Sequence, residues 1–249
     1  MKNIKAIGFD LFNTLISVKP QALDEALGRL TGSLIQSGFR LEREPFIKAH
    51  REAAARFLEE TSLNGRETHN RFWISAALKT QGYDISPDDP HIAVAVEAYF
   101  SPFLQFCSLV PGTREMLRTL KSRYRLALLS NFTHPPAATN ILDNMGLASF
   151  FDVVLISGEL GYCKPHPLVF RRLVEDLGTK KSQILYVGDD PELDVNGAQR
   201  AGLQPIWITY VRDHHIPSAK SILSGRVDMP EYEVPRISTW EDLLSLLDK

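Results

Sequence analysis

The chain reads as an α/β protein: a parallel sheet with helices on both faces and a helical block inserted after the first strand. Three observations predict this. A short apolar run, Ile4 to Phe9, ends directly on an acid, Asp10. Residues 20–107 then show apolar positions at helical spacing and no convincing strand. From about Leu109 strands and helices alternate to the C-terminus, the pattern of consecutive parallel strands joined by covering helices.

The elements follow in order. Ile4–Phe9 has the length and composition of a buried strand. In the helical block, Leu23, Ala26, Leu27, Leu30 and Leu34 share one face, and Phe46, Ala49, Ala53 and Phe57 another. Phe72, Trp73, Ala76 and Ala77 form a third apolar face, and residues 91–106 a fourth helical stretch. Arg125–Ser130 is a strand, followed by a helix over Pro135–Met145 whose prolines suit a first turn. Strands at Asp152–Ile156, Gln183–Val187 and Gln204–Thr209 alternate with helices at Pro167–Leu177 and Glu192–Ala201. A capping box from Ser238 to Glu241 opens the last helix, Trp240–Leu247. Residues 211–235, rich in His, Pro and charge, read as an irregular surface excursion. The expected division is a core of residues 1–16 and 108–249, interrupted by a helical segment over 17–107.

Composition narrows the function classes. The 249 residues are 44% hydrophobic, enough to bury a large core without disulfides. With 28 basic and 30 acidic residues the chain has no electrostatic footprint for nucleic acid or an anionic membrane. Cys107 and Cys163 lack CxxC spacing, and no stretch approaches the roughly 18 apolar residues of a membrane span. The opening segment reads as a strand rather than a signal peptide, so the expected location is cytoplasmic. Monomer and homodimer both stay open.

Four polar clusters follow the expected strands: Asp10 and Thr14; Ser130 and Asn131; Lys164; and Asp189, Asp190 and Asp194. An isolated acid after a strand is usually a turn or cap residue. Here all four clusters fall on the sheet edge where open α/β sheets bind ligands. Crowded carboxylates resist ionisation, and a divalent cation with hard oxygen ligands, Mg²⁺, relieves this. A carboxylate, a cation, a lysine and a hydroxyl donor are the parts needed to move a phosphoryl group onto the protein.

The set FDLFNTL, LLSN, CKPHP and VGDDPELDVNGA, in this order, resembles the haloacid dehalogenase superfamily of hydrolases, over residue 4 to about 209. The resemblance implies a Rossmann-like core, with the helical block as a four-helix cap that admits a small soluble substrate. It implies that Asp10 is the nucleophile and that Thr14 supports the first loop. Ser130 would bind the transferred group, with Asn131 beside it, and Lys164 is the third-motif lysine. Mg²⁺ would be held by Asp10, the backbone carbonyl of Phe12 and Asp189, with Asp190 and Asp194 in support.

One position departs from the pattern. Most phosphatases of this superfamily carry a second Asp two residues after the nucleophile, which protonates the leaving group and later activates water. Here that residue is Phe12, which can do neither. Asn13 stands where Gly is common, and Asn tolerates positive φ. Three readings stay open: a Mg²⁺-dependent phosphatase with altered acid–base chemistry; a metal-independent 2-haloacid dehalogenase, whose halide needs no proton and whose cap arginine would be Arg29 or Arg40; and a non-catalytic relative kept for binding or regulation. His134 and His166 are candidates for the missing acid–base group. Trp73, Phe72 and Tyr99 are candidates for substrate contact. Glu192 reads as a helix N-terminal acid and His214 and His215 as solvated.

Overall fold

The computed structural model describes residues 3–218 and 228–248. β1 (Ala6–Phe9) and the short β2 (Ile16–Val18) lead into α1 (Gln21–Gln36), α2 (Arg43–Asn64), α3 (Asn70–Thr80), α4 (Pro90–Phe100) and α5 (Phe103–Phe106). The chain returns through β3 (Cys107–Leu109), which pairs antiparallel with β2 and closes the neck of this helical insertion. There follow α6 (Thr113–Lys121), β4 (Arg125–Ser130), α7 (Pro135–Asn144), β5 (Val153–Ile156), α8 (Ser157–Leu160), α9 (Pro167–Leu177) and β6 (Ile184–Gly188). The last elements are α10 (Gly197–Ala201), β7 (Gln204–Ile208), α11 (Tyr210–Asp213), β8 (Arg236–Ile237) and α12 (Trp240–Leu247).

The main sheet has the order β5-β4-β1-β6-β7-β8, with every pairing parallel. Strand alternation sorts its side chains onto two faces. Ile7, Phe9, Leu126, Leu128, Leu185 and Val187 pack with Met116 of α6, Ile141 of α7 and Trp240 of α12. Ala6, Ala127, Leu129, Ile184 and Tyr186 pack with Phe170, Leu173 and Leu177 of α9 and Ala198 of α10. The first cluster runs on without a break into Ala22, Leu27 and Leu30 of α1, so the insertion is seated on the core by apolar contact. Among the described residues no helix is long and apolar enough to cross a membrane.

Four local expectations are corrected. The segment expected as one helix over Glu192–Ala201 is a π-helical turn, Pro191–Asn196, that passes into α10. Asp190 caps this turn, its Oδ1 accepting from both the Glu192 and Leu193 N–H groups. The capping box sits one residue later than the spacing suggested. Thr239 is the last extended residue, its hydroxyl accepts from Asp242 N–H, and the Asp242 carboxylate accepts from Thr239 N–H. Phe72 lies on the surface with the Arg71 guanidinium over its ring, not in the insertion core. Within 211–235, expected as irregular, the helix α11 extends to Asp213; His214 and His215 are exposed as expected, and residues 219–227 lie outside the described residues.

Candidate active site

β1 delivers Asp10 to the C-terminal edge of the sheet, where its N–H donates to the Val187 carbonyl of β6 (2.9 Å). The chain then doubles back. Leu15 and Ile16 N–H both donate to Leu11 O (2.9 and 3.0 Å), and Asn13 takes φ +59°, a left-handed conformation that Asn tolerates. This turn holds the Phe12 backbone at the same edge.

Lys164 is 2% exposed, and all three of its ammonium protons have an acceptor. Its Nζ donates to Asp10 Oδ1 (2.6 Å), Asp194 Oδ1 (2.7 Å) and the Tyr186 hydroxyl (3.2 Å). The Tyr186 hydroxyl in turn donates to Leu129 O (3.0 Å). Asn131 clamps the lysine's backbone from both sides: its amide donates to Lys164 O (3.0 Å) and its carbonyl accepts from Lys164 N–H (2.8 Å). Gly188 leaves the room for Asp194, since a Cβ there would stand 2.3 Å from the Asp194 carboxyl carbon.

The charge balance is uneven. Carboxylate oxygens of Asp10, Asp189 and Asp194 lie within 4.8 Å of one another, and Asp190 lines the same cavity. Among the described residues lining it, Lys164 is the one cation. Burial works against the Lys164 charge, yet Asp10 and Asp194 hold the ammonium well above its ordinary range. Burial pushes Asp10 up to about 6 against the pull of Lys164. Asp189 is driven well above the carboxylate range, by burial first and then by Asp10, Asp194 and Asp190. Among the described residues its carboxylate receives no hydrogen bond; its backbone carbonyl accepts from the Trp207 indole (2.9 Å). A hard divalent cation fits this set, because it would neutralise the carboxylate that Lys164 does not touch.

Above the carboxylates lies a cavity of about 200 Å³. Val18, Leu23, Leu58, Trp73, Tyr99, Phe100 and Phe103 supply the walls from the insertion side. The Phe12 ring lies on the wall, stacked on Phe132 (centroids 5.1 Å, 29°), and does not fill the space. Asn131 lines the cavity. Thr14 and Ser130 do not: both are fully buried, and their hydroxyls have no partner among the described residues.

The secondary candidates fall elsewhere. Arg29 is held by Glu25 (2.9 Å) and Ser101 (3.0 Å), Arg40 is exposed, and neither lines the cavity. His134 lies outside the wall, between His69 (3.3 Å) and Glu97 (2.9 Å) of the insertion and stacked on Phe100. His166 caps α9 through Leu168 N–H and stacks on Tyr162. Glu192 is tied to Arg200 and Asn196.

Two residues at the site carry no signal in the sequence pattern. Tyr186 reads there only as one more apolar position of a buried strand. Glu67, in the loop between α2 and α3, lines the cavity and accepts hydrogen bonds from the Ser157 hydroxyl and from Thr68 N–H. Its loop is zipped to the loop that carries Lys164: Cys163 N–H donates to Gly65 O (3.0 Å), Glu67 N–H donates to Gly161 O (3.1 Å), and Arg66 bridges Tyr162. No local motif marks Glu67, because its place depends on this long-range pairing.

Known proteins share this architecture. The family model for haloacid dehalogenase-like hydrolases matches residues 4–202. A ribulose-1,5-bisphosphate 5-phosphatase of Halopiger xanaduensis is 31% identical over 81% of this chain and 83% of its own. The N-acylneuraminate-9-phosphatase of Mus musculus is 28% identical over 100% of this chain and 96% of its own. Among solved structures, a 2-haloacid dehalogenase of Pseudomonas syringae superposes with a TM-score of 0.71 at 24% identity, covering 98% of both chains. The HAD-hydrolase YfnB of Bacillus subtilis, solved with magnesium bound, superposes with a TM-score of 0.63 at 21% identity, covering 100% of both.

Proposed function

Because the chain belongs to the haloacid dehalogenase-like hydrolases, we propose that it is a Mg²⁺-dependent phosphatase of a small soluble metabolite, acting through an aspartyl-phosphate on Asp10. The observation that carries this reading is the acidic cluster. Asp189 adds a carboxylate within 4.8 Å of Asp10 and Asp194, where the single lysine is already saturated. A site that needed only an ionised nucleophile would be better off without it.

In this reading Lys164 holds Asp10 ionised and fixes Oδ1, leaving Oδ2 to attack phosphorus. Asp194 braces the lysine from the other side. Asn131 keeps the lysine's backbone in register with the end of β4. Asp10, the Phe12 carbonyl and Asp189 are the groups that would hold Mg²⁺, and the ion would supply positive charge for the oxygens of the transferred group. Water then hydrolyses the aspartyl-phosphate. Residues 17–107 act as a cap over the core of 1–16 and 108–249, and their apolar wall excludes water from the reacting centre.

A direct test does not need the substrate. Mg²⁺ is expected to raise the Tm of the wild-type protein by about 5–10 °C at roughly a hundredfold excess over its Kd. Asp189→Asn is expected to raise the metal-free Tm, by relieving repulsion, and to abolish the Mg²⁺ response. A wild-type Tm indifferent to Mg²⁺ contradicts the reading.

The aromatic wall around Phe12 is the one observation that favours carbon–halogen hydrolysis, whose leaving group needs no proton. Against it, no arginine among the described residues lines the cavity to hold a haloacid carboxylate. Turnover of 2-chloropropionate without metal, with every phosphate ignored, would replace the phosphatase reading.

A further inference from the structure

We propose that Glu67 is the general acid that protonates the leaving group, the task for which Phe12 has no chemistry. This rests on the phosphatase reading. The other titratable groups lining the cavity are committed or unsuited. Asp10 is the nucleophile, Asp189, Asp190 and Asp194 belong to the acidic cluster, and Lys164 has no spare proton. Burial pushes the Tyr99 hydroxyl up to about 12, too weak an acid for work near neutral pH. His134 and His166 do not line the cavity.

Glu67 has what the task requires. It lines the same cavity as Asp10 and comes from the insertion, in the loop between α2 and α3. The hydrogen bonds between the Gly65–Glu67 and Gly161–Cys163 segments tie its backbone to the core loop that ends in Lys164. These bonds fix its backbone to the loop that carries the nucleophile's own support. Ser157 and Thr68 each occupy one acceptor site on a different carboxyl oxygen, so each oxygen keeps a second site for a proton. Ser157 is itself fixed, because its oxygen accepts from Phe132 N–H (2.8 Å). Burial pushes the Glu67 carboxyl upward, in the direction that keeps it protonated nearer neutrality.

As the bond from Asp10 to phosphorus forms, the bond from phosphorus to the leaving oxygen breaks, and that oxygen takes the Glu67 proton. Glu67, now a carboxylate, takes a proton back from the water whose oxygen attacks the aspartyl-phosphate, and Asp10 leaves as a carboxylate.

The test compares kcat/KM for two esters, with full-length protein and Mg²⁺. Benzyl phosphate must have its alkoxide protonated; 4-nitrophenyl phosphate releases an anion already stable near neutral pH. This parameter reports only steps up to the transfer to Asp10, so it isolates the acid role. Glu67→Gln, which keeps the side chain's size and one of its two acceptor oxygens but carries no acidic proton, is expected to lower benzyl phosphate turnover by about 10²–10⁴-fold and 4-nitrophenyl phosphate turnover by less than about tenfold. Retained activity on the second ester shows that the variant is folded. Equal losses on the two esters, or no loss on either, overturn the proposal alone if wild-type activity depends on Asp10. Wild-type failure on both esters overturns the phosphatase reading and this proposal together.

Discussion

Asp10→Asn is expected to abolish turnover, with kcat falling by roughly 10⁵-fold or more, the scale of loss when a covalent nucleophile is removed. The substitution keeps the size of the side chain and an oxygen that can still accept from Lys164. It removes one buried negative charge from a crowded cluster, so the variant should fold at least as stably as the wild type without metal. Activity and stability thus separate. A steady-state assay on 4-nitrophenyl phosphate, beside a thermal melt, checks both. Activity that survives in a folded Asp10→Asn protein sinks the assignment of the nucleophile.

Lys164→Met is expected to damage stability as well as chemistry. The lysine is the one cation among the described residues of the cavity wall, and it is hydrogen-bonded to both Asp10 and Asp194. Removing one partner of a buried charge cluster leaves the others uncompensated, at a cost of about 3–5 kcal/mol. Turnover is expected to fall at least about 10²-fold, because Asp10 loses the group that fixes its attacking geometry. The sign of the pH dependence follows from Asp10, whose carboxyl is already raised from 3.8 to about 6 in the folded protein. Between those values the folded chain keeps a proton that the unfolded chain has released, so stability from this group is whole below about 3.8 and lost as pH rises past about 6. Without Lys164 the carboxylates shift further up. Urea unfolding should therefore show a large deficit near pH 8 and a smaller one near pH 5. A deficit that does not depend on pH would mean that the lysine matters only through packing.

The sequence carried the layout of the site better than its contacts. Asp10, Asn131, Lys164, Asp189 and Asp194 each follow a strand of a parallel sheet, and strand order alone brings them to one edge. The positive φ of Asn13 was legible for the same local reason. Glu67 was not, since its place depends on backbone pairing between loops almost a hundred residues apart, and local patterns do not encode that. Tyr186 hid inside a strand: its ring packs with the core over Gly8, and only its hydroxyl reaches Lys164. The displaced capping box shows a smaller limit. Ser238 and Thr239 both suit an N-cap, and only the extended backbone at Thr239 decides between them.

In the proposed reaction Asp10 accepts the phosphoryl group. Acid quench of wild-type protein mixed with a ³²P-labelled acyl phosphate and Mg²⁺, followed by peptide mapping, tests it most directly. Transient label is expected on the peptide that contains Asp10, and none in Asp10→Asn. Phosphate release without any label on that peptide, or an ester formed there from 2-chloropropionate and not from the phosphate, would contradict it.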